Sequence, residues 1–168
     1  MMANPVLQLK SGLIIQLIYK NRSFASVIWQ IYFEAGMPTP FVSIVILNWN
    51  GRHFLQQFLP SVLASTYTNK EIVVVDNAST DDSVNFLREY FPAVRIVQNA
   101  SNFGYTRGYN EGLKQLKADY FVLLNSDVEV MPGWIEPVIQ LMESDRQIAI
   151  CQPKLLQFTQ RDHFEYAG

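Results

Sequence analysis

The chain has 168 residues, 49% of them hydrophobic, which is one domain's worth of sequence with ample material for a layered core. A formal net charge of −2 at pH 7 and a pI near 5.6 leave no basic surplus, which argues against a nucleic-acid partner held by phosphate neutralisation. The single cysteine, in Ile148-Ala-Ile-Cys151, excludes an intrachain disulfide and a cysteine-rich zinc site, fits a reducing, cytoplasmic setting and reads as a small buried hydrophobe.

Residues 1–36 hold two apolar blocks, Leu13-Ile-Ile-Gln-Leu-Ile-Tyr19 and Phe24 to Phe33, separated by Lys20-Asn-Arg22. Neither reaches the roughly 18–20 uninterrupted apolar residues of a spanning helix, and no signal-peptide cleavage pattern follows. The segment reads as a helical extension packed on the domain or on a partner. The alternatives are a disordered start or an interfacial anchor with Lys10, Lys20 and Arg22 near lipid headgroups, which would place the protein peripherally at the inner face of the membrane. Gly36-Met-Pro-Thr-Pro40 punctuates the chain, so residues 1–40 form an extension and linker, and the globular part covers residues 41–168.

From there the pattern alternates. Val42-Ser-Ile-Val-Ile-Leu47 is a β-branched strand that stops at Asn48-Trp-Asn-Gly51, and Phe54, Leu55, Phe58, Leu59, Val62 and Leu63 follow at helical spacing. Glu71-Ile-Val-Val-Val75 is a second buried strand, ending at Asp76-Asn-Ala-Ser-Thr80 before a helix with Val84, Leu87 and Phe91. Ser79 and Asp82 have the spacing of a capping box. Pro92 ends that helix, Val94 to Val97 form a third strand, and a third helix is predicted over 105–117. Its Gly104, Gly108 and Gly112 lie four apart, each lowering helix propensity by roughly 1 kcal/mol relative to alanine, so something approaches that side closely. Tyr120 to Leu124 form a fourth strand ending at Asn125-Ser-Asp127; Pro132-Gly133 and a fourth helix follow, and Gln147 to Cys151 read as a fifth strand. Strands joined by helices give an α/β fold, a mostly parallel sheet with helices on both faces.

Parallel sheets bind ligands at the carboxyl ends of their strands. Three polar clusters stand there, Asn48-Trp49-Asn50, Asp76-Asn77-Ala78-Ser79 and Asn125-Ser126-Asp127, and their joint appearance points to one site. Asp76 beside the flat Trp49 side chain suits a base, with the carboxylate accepting a base N–H. Asp127 is a hard oxygen ligand for Mg²⁺ or Mn²⁺, which need one or two protein carboxylates when substrate phosphates complete the shell. Glu129 reads equally well as a rim charge. His53 and His163 lack metal-ligand spacing and read as structural or surface residues.

Four of these stretches in this order resemble family 2 glycosyltransferases, particularly the bacterial rhamnosyltransferase-like branch: Val42 to Asn50, Ile72 to Asp81, Asn99 with Asn102-Phe-Gly-Tyr-Thr-Arg-Gly-Tyr-Asn-Glu-Gly112, and Phe121 to Val128. The resemblance covers about residues 41–168. It implies a Rossmann-like GT-A fold and inverting transfer of a sugar from a nucleoside diphosphate, dTDP- or UDP-linked, to a saccharide or lipid-linked acceptor in cell-surface polysaccharide synthesis. Carried over by position, Leu47, Asn48, Trp49, Asn50, Asp76, Asn77, Asn102, Gly104, Arg107, Asn110, Asn125 and Ser126 would line the nucleotide-sugar site, and Asp127 would bind the metal. Asn125 departs from the family's first aspartate and removes one charge. The family's general base is not visible, so the reading expects a chain truncated at the C-terminus, lacking the acceptor half and transferring sugar poorly. The rivals are a non-catalytic nucleotide-binding fragment and a sugar-phosphate nucleotidyltransferase, which would want a more glycine-rich, basic first loop. GxGxxG and GxxxxGK[ST] do not occur.

Overall fold

A computed structural model of the chain describes residues 6–9, 14–16 and 39–166. Packing divides the chain into two compact units, one drawn from residues 40–63 and 68–128, the other from residues 1–39, 64–67 and 129–168.

In chain order the elements are β1 (Val6–Leu9), β2 (Ile14–Gln16), β3 (Val42–Asn48), α1 (Arg52–Leu63), β4 (Lys70–Asp76), α2 (Ser83–Tyr90), β5 (Arg95–Gln98), α3 (Gly104–Leu113), β6 (Tyr120–Asn125), β7 (Val128–Glu129), α4 (Ile135–Ser144), β8 (Lys154–Leu156) and β9 (Phe164–Tyr166). The first unit is built on a four-stranded sheet in the order β5-β4-β3-β6, with every pairing parallel. Its central strands are the β-branched runs of the sequence, and Val42, Ile44, Val45, Val73, Val74 and Val75 are fully buried. Continuous apolar runs of this kind fit strands covered on both faces. On one face Val45, Val73, Val75 and Val97 pack with Tyr109 of α3 and Leu116. Ile44, Ile46, Ile72 and Val74 alternate onto the opposite face and are also buried. The buried side chains Leu55, Phe58, Leu59 and Val62 of α1 and Phe86 and Leu87 of α2 supply this unit's other apolar helical surfaces.

The other unit contains α4 and short strands in which β1 pairs antiparallel to β2, β2 to β8 and β8 to β9. Within it Trp134 donates its indole N–H to Ser65 Oγ at 2.7 Å, and the Thr66 N–H donates to Pro132 O at 2.7 Å.

Several expectations are corrected. The N-terminal extension reads as helical, yet Val6–Leu9 and Ile14–Gln16 are extended and paired; the rest of residues 1–38, including the second apolar block and the basic residues offered to lipid, lies outside the described residues. Among the described residues no helix is long and apolar enough to cross a membrane. Gln147 to Cys151 is not a strand: Ile150 is 87% exposed, and a run without a pairing partner has no ladder to join. Cys151 is accordingly half-buried rather than buried, with burial still pushing its thiol up. The third helix is shorter than its apolar spacing predicts, stopping at Leu113. Ser79 does not cap α2, for reasons that belong to the site.

Candidate functional site

The parallel register sets the three strand ends level. Asn48 pairs with Asp76, Leu47 with Asn125, and Asp76 with Gln98. At the end of β3, Asn48 is fully buried and donates its Nδ2 to Asp76 Oδ1 and to Ser79 Oγ, both at 3.2 Å. The Ser79 N–H returns to Asp76 Oδ2 at 3.0 Å, so both oxygens of a carboxylate only 1% exposed are engaged inside the chain. Asn48 Oδ1 is left buried with no partner among the described residues. It faces Gly51, where a Cβ would lie 2.5 Å away, so only glycine fits.

Two residues here hold positive φ, Asn50 at 51° and Ala78 at 60°. Asparagine tolerates that region; for alanine it stores strain of order 1 kcal/mol, which surrounding contacts must over-determine. They do. The Asn50 N–H donates to Ser79 Oγ at 2.9 Å, and Asn50 Oδ1 accepts from the Thr80 and Asp81 N–H groups at 2.7 and 3.2 Å. Asp81 ties two helices: its Oδ2 accepts from the Arg52 N–H opening α1 at 3.1 Å, and its Oδ1 from the Ser83 N–H opening α2 at 3.0 Å. Burial pushes the Asp81 carboxyl up, but the Ser83 hydroxyl and these two N–H groups outweigh it and hold the group below its ordinary range. Ser79 is drawn into the strand-end network, and Asp81 takes over the start of α2. Trp49, between Asn48 and Asn50, is 56% exposed.

Asn77, 2% exposed, is the hub of a second network. Its Nδ2 donates to Asn102 Oδ1 at 2.7 Å and Gly104 O at 3.1 Å; its Oδ1 accepts from Asn99 Nδ2 at 3.0 Å and the Phe103 N–H at 3.2 Å. Asn99 Nδ2 also reaches Gly108 O at 3.1 Å. The loop into α3 is thus fastened to the end of β4 by amide side chains. The glycines differ in purpose. Gly104 sits at φ 73° in open space, whereas a Cβ on Gly108 would meet Asn77 at 3.0 Å and Leu47 Cδ1 at 3.1 Å, and one on Gly112 would meet Val75 Cγ2 at 2.5 Å. Close helix-on-sheet packing explains the last two. Arg107 lies with its guanidinium 4.3 Å from the Phe103 ring centroid and 3.9 Å from Glu111. Asn110 is exposed.

At the end of β6, Asn125 is exposed and Ser126 and Asp127 are half-buried. Asp127 has no hydrogen bond or ion pair among the described residues. It lies close enough to Tyr109 for its charge to act there: burial, then the neighbouring Tyr105 hydroxyl, push the Tyr109 phenol far above its usual range, and Asp127 adds to the push. The Tyr109 hydroxyl donates to Leu124 O at 2.9 Å and Tyr105 to Asn125 Oδ1 at 3.1 Å. No group of three or more His, Cys, Asp or Glu among the described residues is arranged to hold a metal by itself. A half-exposed, uncommitted carboxylate suits a divalent cation whose remaining ligands are phosphate oxygens and water.

The structure therefore assembles the three strand-end clusters. Asp76 is taken up by Asn48 and Ser79, and Asn77 and Asn102 bond each other, while Trp49, Arg107, Asn110, Asn125, Ser126 and Asp127 remain outward. Glu129 falls in the other unit. His53 packs its ring on Phe54 at 3.9 Å, and His163 bonds Asp162 at 2.9 Å. Sequence reasoning gave no role to Tyr105 and Tyr109, whose signal was an i,i+4 aromatic pair; Asp81 reads from the sequence as an acid suited to the start of α2, and its second tie, to the Arg52 N–H of α1, has no local signal.

The family model described as "Glycosyl transferase family 2" matches residues 43–165. The chain belongs to glycosyltransferase family 2. Among its relatives, an uncharacterized glycosyltransferase of Haemophilus influenzae is 29% identical over 112 residues, 65% of this chain and 35% of that protein. S. aureus TarS 1-349, solved in complex with UDP-GlcNAc, superposes with a TM-score of 0.57 at 20% identity, covering 63% of this chain and 32% of that one. The mannosyltransferase PcManGT from Pyrobaculum calidifontis, in complex with GDP-Man and Mn²⁺, does so at 0.50 and 22%, covering 61% and 35%. This glycosyltransferase-family chain has the GT-A α/β fold and spans about a third of the length of these proteins.

Proposed function

We propose that this chain carries the nucleotide-sugar site of an inverting glycosyltransferase, which passes a sugar from a UDP- or dTDP-linked donor to a hydroxyl of a saccharide or lipid-linked acceptor during cell-surface polysaccharide synthesis. The observation that carries the reading is Asp127: a carboxylate without a partner among the described residues, at the carboxyl end of a parallel strand, level with two further polar strand ends. Trp49, 56% exposed, offers its ring to the base. Asp76 acts from beneath, holding Asn48 and the turn at Ser79 in the shape that selects the base. Asn125, Ser126 and Arg107 face the ribose and diphosphate, and Asn110 the sugar side of the loop. Asp127 would hold Mg²⁺ or Mn²⁺, which when bound neutralises the charge of the departing diphosphate. In the reaction the acceptor oxygen bonds to the anomeric carbon as the carbon–oxygen bond to the diphosphate breaks, and the acceptor proton leaves to a base that is assigned to no residue of this chain. The nucleotide sugars and the Mn²⁺ bound by the two structural relatives support the substrate class.

Calorimetric titration of UDP, dTDP and GDP, with and without Mn²⁺, tests this. Wild type should bind UDP or dTDP more tightly with Mn²⁺ than without, and Asp127→Ala should lose that increment. A Mn²⁺ increment unchanged by the substitution would remove Asp127 from the metal role.

A further inference from the structure

Asn125 stands where a second acid would double the negative charge beside Asp127, and its contacts show which end of its amide is left for a ligand. An asparagine side chain has one acceptor oxygen and one two-proton donor. The Tyr105 hydroxyl donates to Oδ1 at 3.1 Å, and Nδ2 makes no hydrogen bond among the described residues. Tyr105 is itself 62% exposed, so water would readily satisfy its hydroxyl, and its direction has to be set by something else. That is Tyr109, one helical turn on, whose ring meets the Tyr105 ring edge-on at 5.1 Å. Tyr109 is 2% exposed and anchored to Leu124 O at 2.9 Å. Residues four apart on a helix share a face, and here the two hydroxyls grip consecutive residues of β6, one by its carbonyl and the next by its side chain.

We propose that Tyr105 is a positioning residue that holds the Asn125 amide with its oxygen turned to the helix, so that Nδ2 donates to a ribose or phosphate oxygen of the nucleotide. Asn125 then serves the nucleotide and not the cation, and Asp127 is the protein's one ligand to the metal from this strand end. The proposal rests on the nucleotide-sugar reading of the site and assigns the triplet's first residue a donor role that an acid could not fill.

Tyr105→Phe removes the hydroxyl and keeps the ring, and Asn125→Asp keeps the shape and removes the donor. Each would be titrated with UDP and dTDP in EDTA, and the nucleotide-saturated protein then titrated with Mn²⁺; thermal unfolding would confirm that both variants fold. Losing one net hydrogen bond corresponds to about threefold to tenfold in affinity. Tyr105→Phe should weaken nucleotide binding in EDTA by that factor and leave Mn²⁺ affinity within about twofold. Asn125→Asp should weaken it at least as much, and adding Tyr105→Phe to Asn125→Asp should change little. In ¹⁵N spectra the Asn125 side-chain NH₂ signals should move when UDP is added to wild type in EDTA. The proposal is overturned if Tyr105→Phe binds nucleotide like wild type, if Asn125→Asp binds it more tightly in EDTA, or if the NH₂ signals stay put on binding. A wild-type protein that binds none of UDP, dTDP or GDP, with or without Mn²⁺, overturns the nucleotide reading and this proposal together.

Discussion

Gly112 offers a direct test of how closely α3 lies on the sheet. A Cβ at this position would stand 2.5 and 2.8 Å from the two γ-methyls of Val75, and Val75 is fully buried in the middle of the sheet between β3 and β5. A buried valine is stiff at χ1, so it cannot swing a methyl aside, and the helix must lift or the strand shift. Overpacking of a tight core costs about 1–3 kcal/mol, and a double contact of this severity belongs at the upper end. Alanine returns about 1 kcal/mol of helix propensity. Gly112→Ala should therefore destabilise by about 2 kcal/mol, read as a lower urea midpoint at unchanged slope. In a Val75→Ala background the obstructing methyls are gone, and the same change should be neutral or stabilising by up to about 1 kcal/mol. A raised midpoint in the wild-type background, or equal effects in both, would refute the close approach.

Asp81→Ala removes a carboxylate shared by the first N–H groups of two helices and should cost about 1–2 kcal/mol in denaturant unfolding. Because the folded group is held below the ordinary carboxylate range, its contribution is fully present above that range and is lost as pH falls through the folded value; the stability gap between wild type and Asp81→Asn should be flat near neutrality and close in acid. Asn77→Ala strips four hydrogen bonds from a buried hub and should destabilise by about 2–3 kcal/mol, with the Phe103 and Gly104 amides gaining the most hydrogen exchange. Trp49→Ala, at an exposed position, should weaken UDP binding by about 1–3 kcal/mol, the worth of a stacked base, and leave the unfolding midpoint within a degree or two; equal affinity would take the base away from this ring.

The strands of the sheet were legible because burial on both faces leaves a direct imprint: nothing but apolar, mostly β-branched residues from Ile44 to Leu47 and from Ile72 to Val75, each stopping at a polar residue. The location of the site followed from the same feature. Gln147 to Cys151 carries a similar composition without being a strand, since composition records what can be buried and pairing depends on a partner elsewhere in the chain. Ser79 and Asp82 match a local capping pattern, but Ser79 has better partners in Asn48, Asn50 and Asp76, and no window of sequence shows a contact across 31 residues. Asn77, read as ligand-facing, and Asn99, read only as part of a family stretch, bond each other across 22 residues.

Those long-range amide bonds change what the polar strand ends are for. Strand ends that present Trp49, Asn125 and Asp127 to the proposed nucleotide cannot be held by apolar burial at their rim, because the rim is wet. Buried amides supply the alternative. Asn48, Asn77 and Asn99 each carry donors and an acceptor on one short side chain, enough to fasten several backbone turns at once. Asp76 anchors the Asn48 part of that scaffold with a carboxylate only 1% exposed, whereas Asp127 keeps its carboxylate uncommitted within the described residues. Two aspartates at strand ends on either side of β3 thus differ in burial, and substitution should separate them: losing Asp76 should disturb Asn48 and the turn at Ser79, and losing Asp127 should disturb only the proposed cation binding.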